Sequence, residues 1–305
     1  TFMKFITAQN SNNESVKIFI SESSDLSNPK GVIHIYHGLA EYFGRYKHTA
    51  KFFNSIGYHV VGINHRGHGD WVESGNIPGF FANKDGWNVV VDDMKLSFKT
   101  IQEQYSDIPH FILAHSMGTW LTIALLQRGI LPHKVILSAS SKLSVSKLFL
   151  QKLIIKLIKL IKGSKGKSYF SDTLTTKQFN AQFKPNRTTH DWLSSNHESV
   201  DEYIADPLCG FIPTNQMYDD LAGGVIKAFS HEKMSEVDIN LPILLIAGSE
   251  DPVGENGKGV QELKLFLSKY NKSVQLELFP KLRHEILNET NNEQVFKSIV
   301  KFLNS

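Results

Sequence analysis

The sequence predicts an α/β fold in which a mostly parallel central sheet carries helices on both faces. Three observations support this prediction. Short apolar runs alternate with segments of helical periodicity, and most of these runs are apolar throughout rather than at every second residue. Such runs are typical of parallel strands that are buried on both faces. The alternation is lost in the middle of the chain, which predicts that a helical cap is inserted into the sheet.

The apolar runs define the predicted strands. In chain order they are Val32–Tyr36, Tyr58–Ile63, Phe111–Leu113, Val135–Leu137, Ile243–Ala247 and Val274–Phe279. Helical spacing of apolar residues predicts four helices among and after them. These helices are Asn88–Tyr105, Thr119–Arg128, Gln261–Tyr270 and Asn292–Leu303. The segment from Met3 and the segment Lys17–Ile20 are expected to pair as a hairpin at one edge of the sheet.

The predicted cap lies between about residues 140 and 235, where no run has the apolar density of the strands. The sequence therefore divides into a first core part (1–139), a helical cap (140–235) and a second core part (236–305). The length of 305 residues suits one large α/β domain with such an insertion, or two domains.

Within the cap, residues 146–162 are predicted to form an amphipathic helix with a basic face. At 100° per residue the lysines and the apolar residues separate. The lysine side holds Lys152, Lys156, Lys159 and Lys162 together with Leu148 and Ile155, and the other side holds Phe149, Leu150, Leu153, Ile154, Leu157, Leu160 and Ile161. Because no acidic residue lies between Asp107 and Asp172, the basic face has no local counter-charge. The helix either rests on an anionic membrane surface or packs on the core with solvated lysines, and we favour membrane or lipid contact.

Composition narrows the class of protein and its partners. The formal net charge is +3 and no basic-aromatic array is present, which argues against a nucleic-acid partner. The single cysteine, Cys209, excludes an internal disulfide framework and is expected to be a small buried residue. The segment after Met3 lacks the apolar core of a signal peptide, and no run of 18 apolar residues occurs. We therefore expect a cytoplasmic protein that is at most peripheral to a membrane, of open oligomeric state.

The run Phe111–Thr119 is interpreted as a nucleophile elbow. Its residues AHSMG at 114–118 fit the pattern G-x-S-x-G with alanine in the first place. Ser116 would sit at a sharp turn from strand to helix, with its hydroxyl exposed and the Met117 N–H free to meet an oxyanion.

A serine hydroxyl needs a base within hydrogen-bond reach, and that base needs an orienting carboxylate. In this type of fold the order along the chain is serine, acid, histidine. Asp251 follows the apolar strand at 243–247 and is preferred over its neighbour Glu250. His284 follows the next strand and is the only histidine after Asp251. Asp251 and His284 are thus the predicted acid and base for Ser116.

A second oxyanion donor is expected in the loop after the strand Val32–Tyr36. The sequence HGLAE at 37–41 places the Leu39 N–H there, and His37 is expected to shape the loop. The sequence NHRGHGD at 64–70 has two histidines three residues apart but no Cys or Glu cluster, which is a weak metal signal. It is interpreted as a structural loop that supports the site.

Five motifs in this order resemble the monoacylglycerol lipase and lysophospholipase family of α/β-hydrolases, also called serine aminopeptidase-like hydrolases. They are HGLAEYFGRY at 37–46, NHRGHG at 64–69, AHSMG at 114–118, GSEDP at 248–252 and RHEILNE at 283–289. The match runs from about Val32 to the C-terminus. The chain departs from the family at Ala114 and Thr119, where many members have glycine, and neither change affects the predicted nucleophile.

The resemblance implies the α/β-hydrolase fold with a helical cap over a site made of a triad, an oxyanion hole and a polar substrate-binding region. The residues are Ser116, Asp251 and His284 for the triad, Leu39 and Met117 for the oxyanion hole, and His37, Gly38, Glu41 and Arg45 for substrate binding. It also implies hydrolysis of a lipid ester, a monoacylglycerol or a lysophospholipid, through an acyl-enzyme. The apolar segments 149–161 and 211–212 could then form a tunnel for the acyl chain. No cofactor and no metal is expected.

Other functions stay open at this stage. The same triad could act on a thioester, a small ester or a peptide N-terminus. An aminopeptidase would need acidic residues in the cap, and Asp201, Glu202 and Asp206 keep that alternative open. A non-catalytic ligand receptor on the same fold could also retain the triad.

Overall fold

The computed structural model describes residues 3–305 and contains one eight-stranded sheet. The strands are β1 (Lys4–Gln9), β2 (Ser15–Ser21), β3 (Gly31–Tyr36), β4 (Tyr58–Gly62), β5 (His110–His115), β6 (Lys134–Ser138), β7 (Ile243–Gly248) and β8 (Val274–Phe279). Their order is β1-β2-β4-β3-β5-β6-β7-β8. β2 pairs antiparallel with β1 and β4, and all the other neighbours are parallel. The predicted mostly parallel sheet and the α/β-hydrolase fold are confirmed.

Burial explains why these strands were visible in the sequence. β3, β4, β5 and β7 are buried at every position, so no polar alternation interrupts them. β5 is longer than its predicted core 111–113, because Ala114 and His115 continue the ladder to β6. β8 lies at the sheet edge and alternates between half-buried and exposed residues. The parallel strands thus bring the ends of β3, β5, β7 and β8 to one edge, where the predicted motifs begin.

Helices cover both faces of the sheet. In the two core parts they are α1 (Lys47–Ser55), α2 (Asp70–Glu73), α3 (Gly86–Gln104), α4 (Met117–Leu126), α11 (Lys258–Leu267) and α12 (Glu293–Asn304), with a 3₁₀ turn at Phe43–Tyr46. Neighbouring strand residues such as Ile112 and Leu113 belong to different hydrophobic clusters, one packed with α3, α4 and α11, the other with α1 and α12. α4 starts at Met117, two residues before the predicted start at Thr119, which places Met117 in its first turn.

Helices occupy the stretch between β6 and β7. They are α5 (Val145–Lys162), α6 (Tyr169–Asp172), a π-helix (Thr173–Lys177), α7 (Gln178–Asn180), a 3₁₀ turn (Ala181–Phe183), α8 (His197–Ala205), α9 (Asn215–Ala228) and α10 (His231–Met234). α9 contributes Met217 and Val225 to the hydrophobic cluster of α3 and α4. The division of the chain at residues 140 and 235 stays a prediction. Cys209 lies in this stretch and is buried, as expected.

The orientation of α5 corrects one sequence interpretation. Its buried residues are Leu148 and Ile155, which lie on the lysine side of the helix. Lys152 and Lys159 turn inward and pair with Asp219 of α9, so this face does have a counter-charge. The apolar side is the one that faces solvent: its exposed members are Phe149, Leu150, Leu153, Leu157, Leu160 and Ile161. The acidic partner was missed because it lies 60 residues from Lys159 along the chain.

Candidate active site

Ser116 occupies a sharp turn between β5 and α4. Its backbone has φ 50° and ψ −120°, a conformation that residues with side chains rarely adopt. The surrounding residues hold this turn: the Ser116 N–H donates to Ser138 O at 2.9 Å, and Thr119 Oγ1 lies 2.6 Å from Ser116 O. Thr119 thus bonds the carbonyl of the serine itself.

Gly118 allows the elbow to approach β3. A methyl group placed on its Cα would lie 2.7 Å from His37 O, and closer still to Tyr36 O. These are backbone atoms of the last residue of β3 and of the residue after it, which cannot move aside as the end of a flexible side chain can. The second small residue of the motif is therefore required by the close contact between α4 and the end of β3.

Ser116, His284 and Asp251 form a continuous hydrogen-bonded row. His284 Nε2 lies 3.0 Å from Ser116 Oγ, and His284 Nδ1 lies 2.9 Å from Asp251 Oδ1. A carboxylate can only accept, so Nδ1 carries the proton and Nε2 is the acceptor for the serine hydroxyl. Asp251 is fully buried, and Oδ1 also accepts the Val253 N–H at 2.9 Å. Glu250, the competing acid in the sequence, is exposed.

The charge of Asp251 controls the protonation of His284. Burial alone would lower the pKa of His284, but the charge of Asp251 and the hydrogen bond to it outweigh burial and raise the pKa above 6.5. The row therefore stabilises an imidazolium, which is the state that a histidine base reaches after taking a proton.

The loop that carries His284 is anchored to residues 191–195. The Arg283 N–H donates to Glu289 Oε1 at 2.8 Å, and Glu289 Oε2 accepts the Ser195 N–H at 2.9 Å. On the other side of His284, the Glu285 N–H donates to Leu193 O at 2.7 Å. This part of the predicted cap is thus tied to the base on both sides.

Trp192 is a site residue that sequence reasoning missed. Its ring lies 5.0 Å from the ring of His284, at an angle of 37°, and it is mostly buried. No motif surrounds Trp192 in the sequence, and it lies 92 residues from the histidine. Only the anchoring of residues 191–195 brings the two rings together.

The predicted oxyanion donors lie on two neighbouring segments beside the serine. A methyl group on Gly38 would lie 3.1 Å from Ser116 Cβ, so the loop after β3 touches the nucleophile. No acceptor for the Leu39 N–H or the Met117 N–H is present in the described chain, from residue 3 to 305. Both groups are therefore available to a ligand atom near Ser116 Oγ.

A buried ionic cluster lies next to this loop. Arg45 forms two hydrogen bonds with Glu285, one of them at 3.1 Å, and lies 3.5 Å from Glu41. Glu41 accepts the Gly38 N–H at 2.5 Å and the Tyr46 hydroxyl at 2.8 Å. Burial, with the nearby charge of Glu285, raises the pKa of Glu41 to about 7. Burial acts in the same direction on Glu285, but Arg45 outweighs it and lowers the pKa.

The structure separates the four predicted substrate-binding residues into two pairs. Gly38 and Glu41 line the cavity over Ser116. His37 and Arg45 do not line it: the His37 ring is fully buried behind the loop, and the Arg45 guanidinium is engaged by two carboxylates. That these four residues bind substrate stays a prediction. In the structure the His37 and Arg45 side chains lie behind the wall, in keeping with the loop-shaping role expected for His37.

The cavity has a volume of about 320 Å³, within the range of ligand pockets. One part of its wall is apolar and comes from α4, α5, α9 and the segment before α5: Trp120, Leu143, Leu148, Leu221, Ala222 and Val225. Trp120 of α4 is also mostly buried, so it joins the core and the cavity wall. The lining also includes polar side chains, among them His190, Tyr203 and Glu285.

Comparison with known proteins places the chain among hydrolases. Residues 27–291 match the Hydrolase_4 family model, described as serine aminopeptidase, S33. A monoglyceride lipase homolog of Monkeypox virus is 25% identical over 273 residues, which cover 90% of this chain and 87% of that protein. Phospholipase YtpA of Bacillus subtilis is 26% identical over 277 residues, covering 90% and 95%. A solved structure, a highly thermostable carboxyl esterase from Bacillus coagulans in complex with glycerol, is 27% identical with a TM-score of 0.88, covering 100% of this chain and 98% of that one.

Proposed function

Because the chain belongs to the Hydrolase_4 family of serine aminopeptidase-like α/β-hydrolases and is a lipase- or esterase-type serine hydrolase, we propose that it hydrolyses monoacylglycerols through an acyl-enzyme. The family resemblance that five sequence motifs indicated is confirmed. The observation that carries the proposal is the hydrogen-bonded row Ser116–His284–Asp251 at the bottom of a partly apolar cavity.

The first half of the reaction forms the acyl-enzyme. Ser116 Oγ attacks the ester carbonyl carbon while His284 Nε2 takes the hydroxyl proton, and Asp251 stabilises the imidazolium. The carbonyl oxygen becomes an oxyanion that accepts hydrogen bonds from the N–H groups of Leu39 and Met117. When the carbonyl re-forms, the bond to the alcohol oxygen breaks, and the alcohol leaves with the proton from His284.

The second half regenerates the serine. A water molecule gives a proton to His284 and attacks the acyl carbon, so a second oxyanion forms in the same place. Its collapse breaks the bond to Ser116 Oγ, which recovers the proton from His284. The products are a fatty acid and the alcohol, and Ser116 is free again.

The cavity lining supports an apolar acyl chain with a neutral alcohol. Each buried methylene contributes up to about 0.8 kcal/mol of transfer free energy, which favours a long acyl chain along the apolar wall. Of the four carboxylic side chains in the described lining, Glu41 and Glu285 lie against Arg45, which leaves Asp172 and Glu255 against Lys147. A phosphate would meet this acidic surplus unfavourably, whereas glycerol carries no charge. The Bacillus coagulans esterase, which is similar throughout, was solved with glycerol bound. We therefore place monoacylglycerols before lysophospholipids.

The acidic residues that kept an aminopeptidase open lie outside the cavity. Asp201 pairs with Arg187 at 2.8 Å, Asp206 accepts the Tyr42 hydroxyl at 2.9 Å, and Glu202 faces a separate surface cleft. None of the three therefore reaches a substrate ammonium next to Ser116, and an aminopeptidase would depend instead on Asp172, the carboxylate of the predicted cap that does line the cavity.

We also propose that the exposed apolar face of α5 contacts a lipid surface. Six large apolar side chains of this helix are more than half exposed, and the exposed lysines Lys147, Lys156 and Lys162 lie on the same helix. A helix with such a face binds at the boundary between headgroups and acyl chains, where lysines meet anionic lipids. Leu148 on the inner side of α5 lines the cavity, so the helix would stand between the lipid surface and the site. None of the helices described between residues 3 and 305 is long and apolar enough to cross a bilayer.

Initial rates on a matched substrate set test the proposed activity. The set is a monoacylglycerol, a lysophosphatidylcholine, a lysophosphatidic acid, aryl esters of rising chain length and an alanine anilide. We expect the monoacylglycerol and the longer aryl esters to be fastest, and Ser116→Ala to lower these rates at least about 10⁴-fold. Ser146→Ala, an exposed serine of α5, is the control. Fastest turnover of the anilide, of an acetyl ester or of either lysophospholipid would reject the proposed substrate.

A further inference from the structure

The loop after β3 that carries the predicted oxyanion donor Leu39, residues 37–41, is called the oxyanion loop here. Of three consecutive N–H groups in it, the first and the third have a side-chain acceptor and the second has none. The Gly38 N–H donates to Glu41 Oε1 at 2.5 Å, and the Ala40 N–H donates to His68 Nε2 at 3.2 Å. Between them, the Leu39 N–H has no acceptor within the described chain. The two neighbours are therefore held by side chains, and only the middle group is left for a substrate oxygen.

His68 is built to accept this hydrogen bond. Its Nδ1 lies 2.9 Å from Arg66 O, and since a carbonyl can only accept, Nδ1 carries the proton and Nε2 carries the lone pair. The ring is fully buried and lies 5.2 Å from the ring of Phe211. Burial lowers the pKa of His68 to about 4, so the ring is neutral at ordinary pH and keeps its acceptor.

A second imidazole orients the peptide group between Gly38 and Leu39. His37 Nδ1 lies 2.8 Å from Gly38 O, and His37 Nε2 accepts the His65 N–H at 3.0 Å. In a trans peptide the N–H points away from the C=O. The bond to Gly38 O therefore directs the Leu39 N–H away from the His37 ring.

We propose that His68 is a positioning residue of the oxyanion hole: it holds the Ala40 N–H so that the Leu39 N–H, oriented by His37, stays aimed at the substrate oxygen. The proposal rests on the reaction proposed above. His68 does not line the cavity and touches no reacting atom. It acts from the loop after β4, which sequence reasoning treated only as structural support.

The conformation of Ala40 explains why the loop needs such a bond. Ala40 has φ +54°, which costs free energy for a residue with a side chain. Its carbonyl is held from another direction, by the Gly210 N–H at 3.0 Å. Without the His68 acceptor, the peptide between Leu39 and Ala40 can turn. The Leu39 backbone is then held from one side only, by the bond between His37 and Gly38 O, and the aim of the Leu39 N–H loosens.

The test compares two amide substitutions of His68. The longer amide of His68→Gln can place an oxygen near the position of Nε2, while the shorter amide of His68→Asn reaches only the region of Nδ1. We expect His68→Asn to lower kcat on an oxoester about 10- to 100-fold with little change in KM, since complete loss of an oxyanion donor costs about 10²–10³. His68→Gln should retain most of the activity.

A thionoester substrate makes the readout specific to the oxyanion hole. Its sulfur is a weak hydrogen-bond acceptor, so it gains less from the Leu39 N–H. The ratio of oxoester to thionoester rates should therefore fall in His68→Asn and stay near the wild-type value in His68→Gln. A general loss of folding would lower both rates together.

His59→Asn is the matched control. His59 lies in β4, is also buried, and its Nδ1 accepts the Ser23 N–H at 3.1 Å, away from the site. The His59→Asn variant should leave the ratio of oxoester to thionoester rates unchanged. Equal rate ratios in wild type, His68→Asn and His68→Gln would overturn the proposal. Full activity of Ser116→Ala would instead reject the proposed function, so the two failures are distinguishable.

Discussion

Lys159 Nζ of α5 lies 2.8 Å from Asp219 Oδ2 of α9, and Lys152 pairs with the other oxygen of the same carboxylate. This shared carboxylate fixes which side of α5 faces the protein. Two of the four lysines of the predicted basic face, Lys152 and Lys159, are partly buried and compensated, and the apolar residues on the other side of the helix are exposed. Any contact of α5 with lipid therefore begins with its apolar residues.

Removal of exposed leucines from α5 should weaken binding to lipid vesicles. The variant Leu153→Gln/Leu157→Gln/Leu160→Gln removes three side chains that are each more than half exposed. Because each leucine that enters the interface contributes on the order of 1 kcal/mol, we expect at least a tenfold loss of affinity in vesicle sedimentation. The control Lys152→Gln/Lys159→Gln removes only compensated charges and should change binding less. A larger loss in the lysine variant would restore the basic-face interpretation.

Asp219→Asn should destabilise the docking of α5. The change leaves Lys152 and Lys159 without their carboxylate in a partly buried position, and we expect a loss of about 1–2 kcal/mol in the free energy of unfolding. Urea unfolding at neutral pH measures it. Asp201→Asn, which removes an exposed ion pair with Arg187, is the control and should cost less.

The interaction of Asp219 with Lys152 and Lys159 has a defined pH dependence. Burial opposes the charge of Asp219, but the two lysines outweigh it and lower the pKa of Asp219 below 3.8. A carboxyl whose pKa is lowered by folding adds stability above its unfolded pKa and loses it as the pH falls through the folded pKa. The difference between wild type and Asp219→Asn should therefore shrink below about pH 4. A difference that grows on acidification would contradict this ion pair.

Features that depend on local sequence pattern could be predicted from the sequence. The side of α5 that faces the protein could not. β3, β5 and β7 are buried on both faces, so each appears as an apolar run, and the triad follows from the order of residues at strand ends. The partner of α5 lies 60 residues away, and periodicity gives two faces without saying which is inside. The contacts of Trp192 with His284 and of Glu289 with Ser195 were missed for a similar reason, since each joins residues about 90 positions apart.

The pH profile of hydrolysis should depend on Asp251. Since Asp251 raises the pKa of His284 above 6.5, kcat/KM of the wild type should rise with pH through a midpoint above that value. Asp251→Asn should move the midpoint to lower pH, because the imidazolium of His284 loses its counter-charge. It should also lower the rate about 10⁴-fold, because His284 is no longer held in the tautomer that accepts the serine proton. Glu250→Gln changes the exposed neighbouring carboxylate and should leave the midpoint in place. A midpoint that follows Glu250 instead would reassign the acid.

Gly118→Ala should destabilise the elbow without any change in charge. The added methyl group would overlap the carbonyl oxygens of Tyr36 and His37, which belong to the backbone at the end of β3 and cannot yield alone. Overpacking of this kind costs about 1–3 kcal/mol in the free energy of unfolding, and the shift of β3 should also displace Leu39 and lower kcat. Gly254→Ala is the matched control for stability, because a methyl group there meets nothing closer than 3.7 Å. It should stay within about 0.5 kcal/mol of wild type. Equal unfolding midpoints for the two variants in urea would show that α4 does not press on β3 as closely as described.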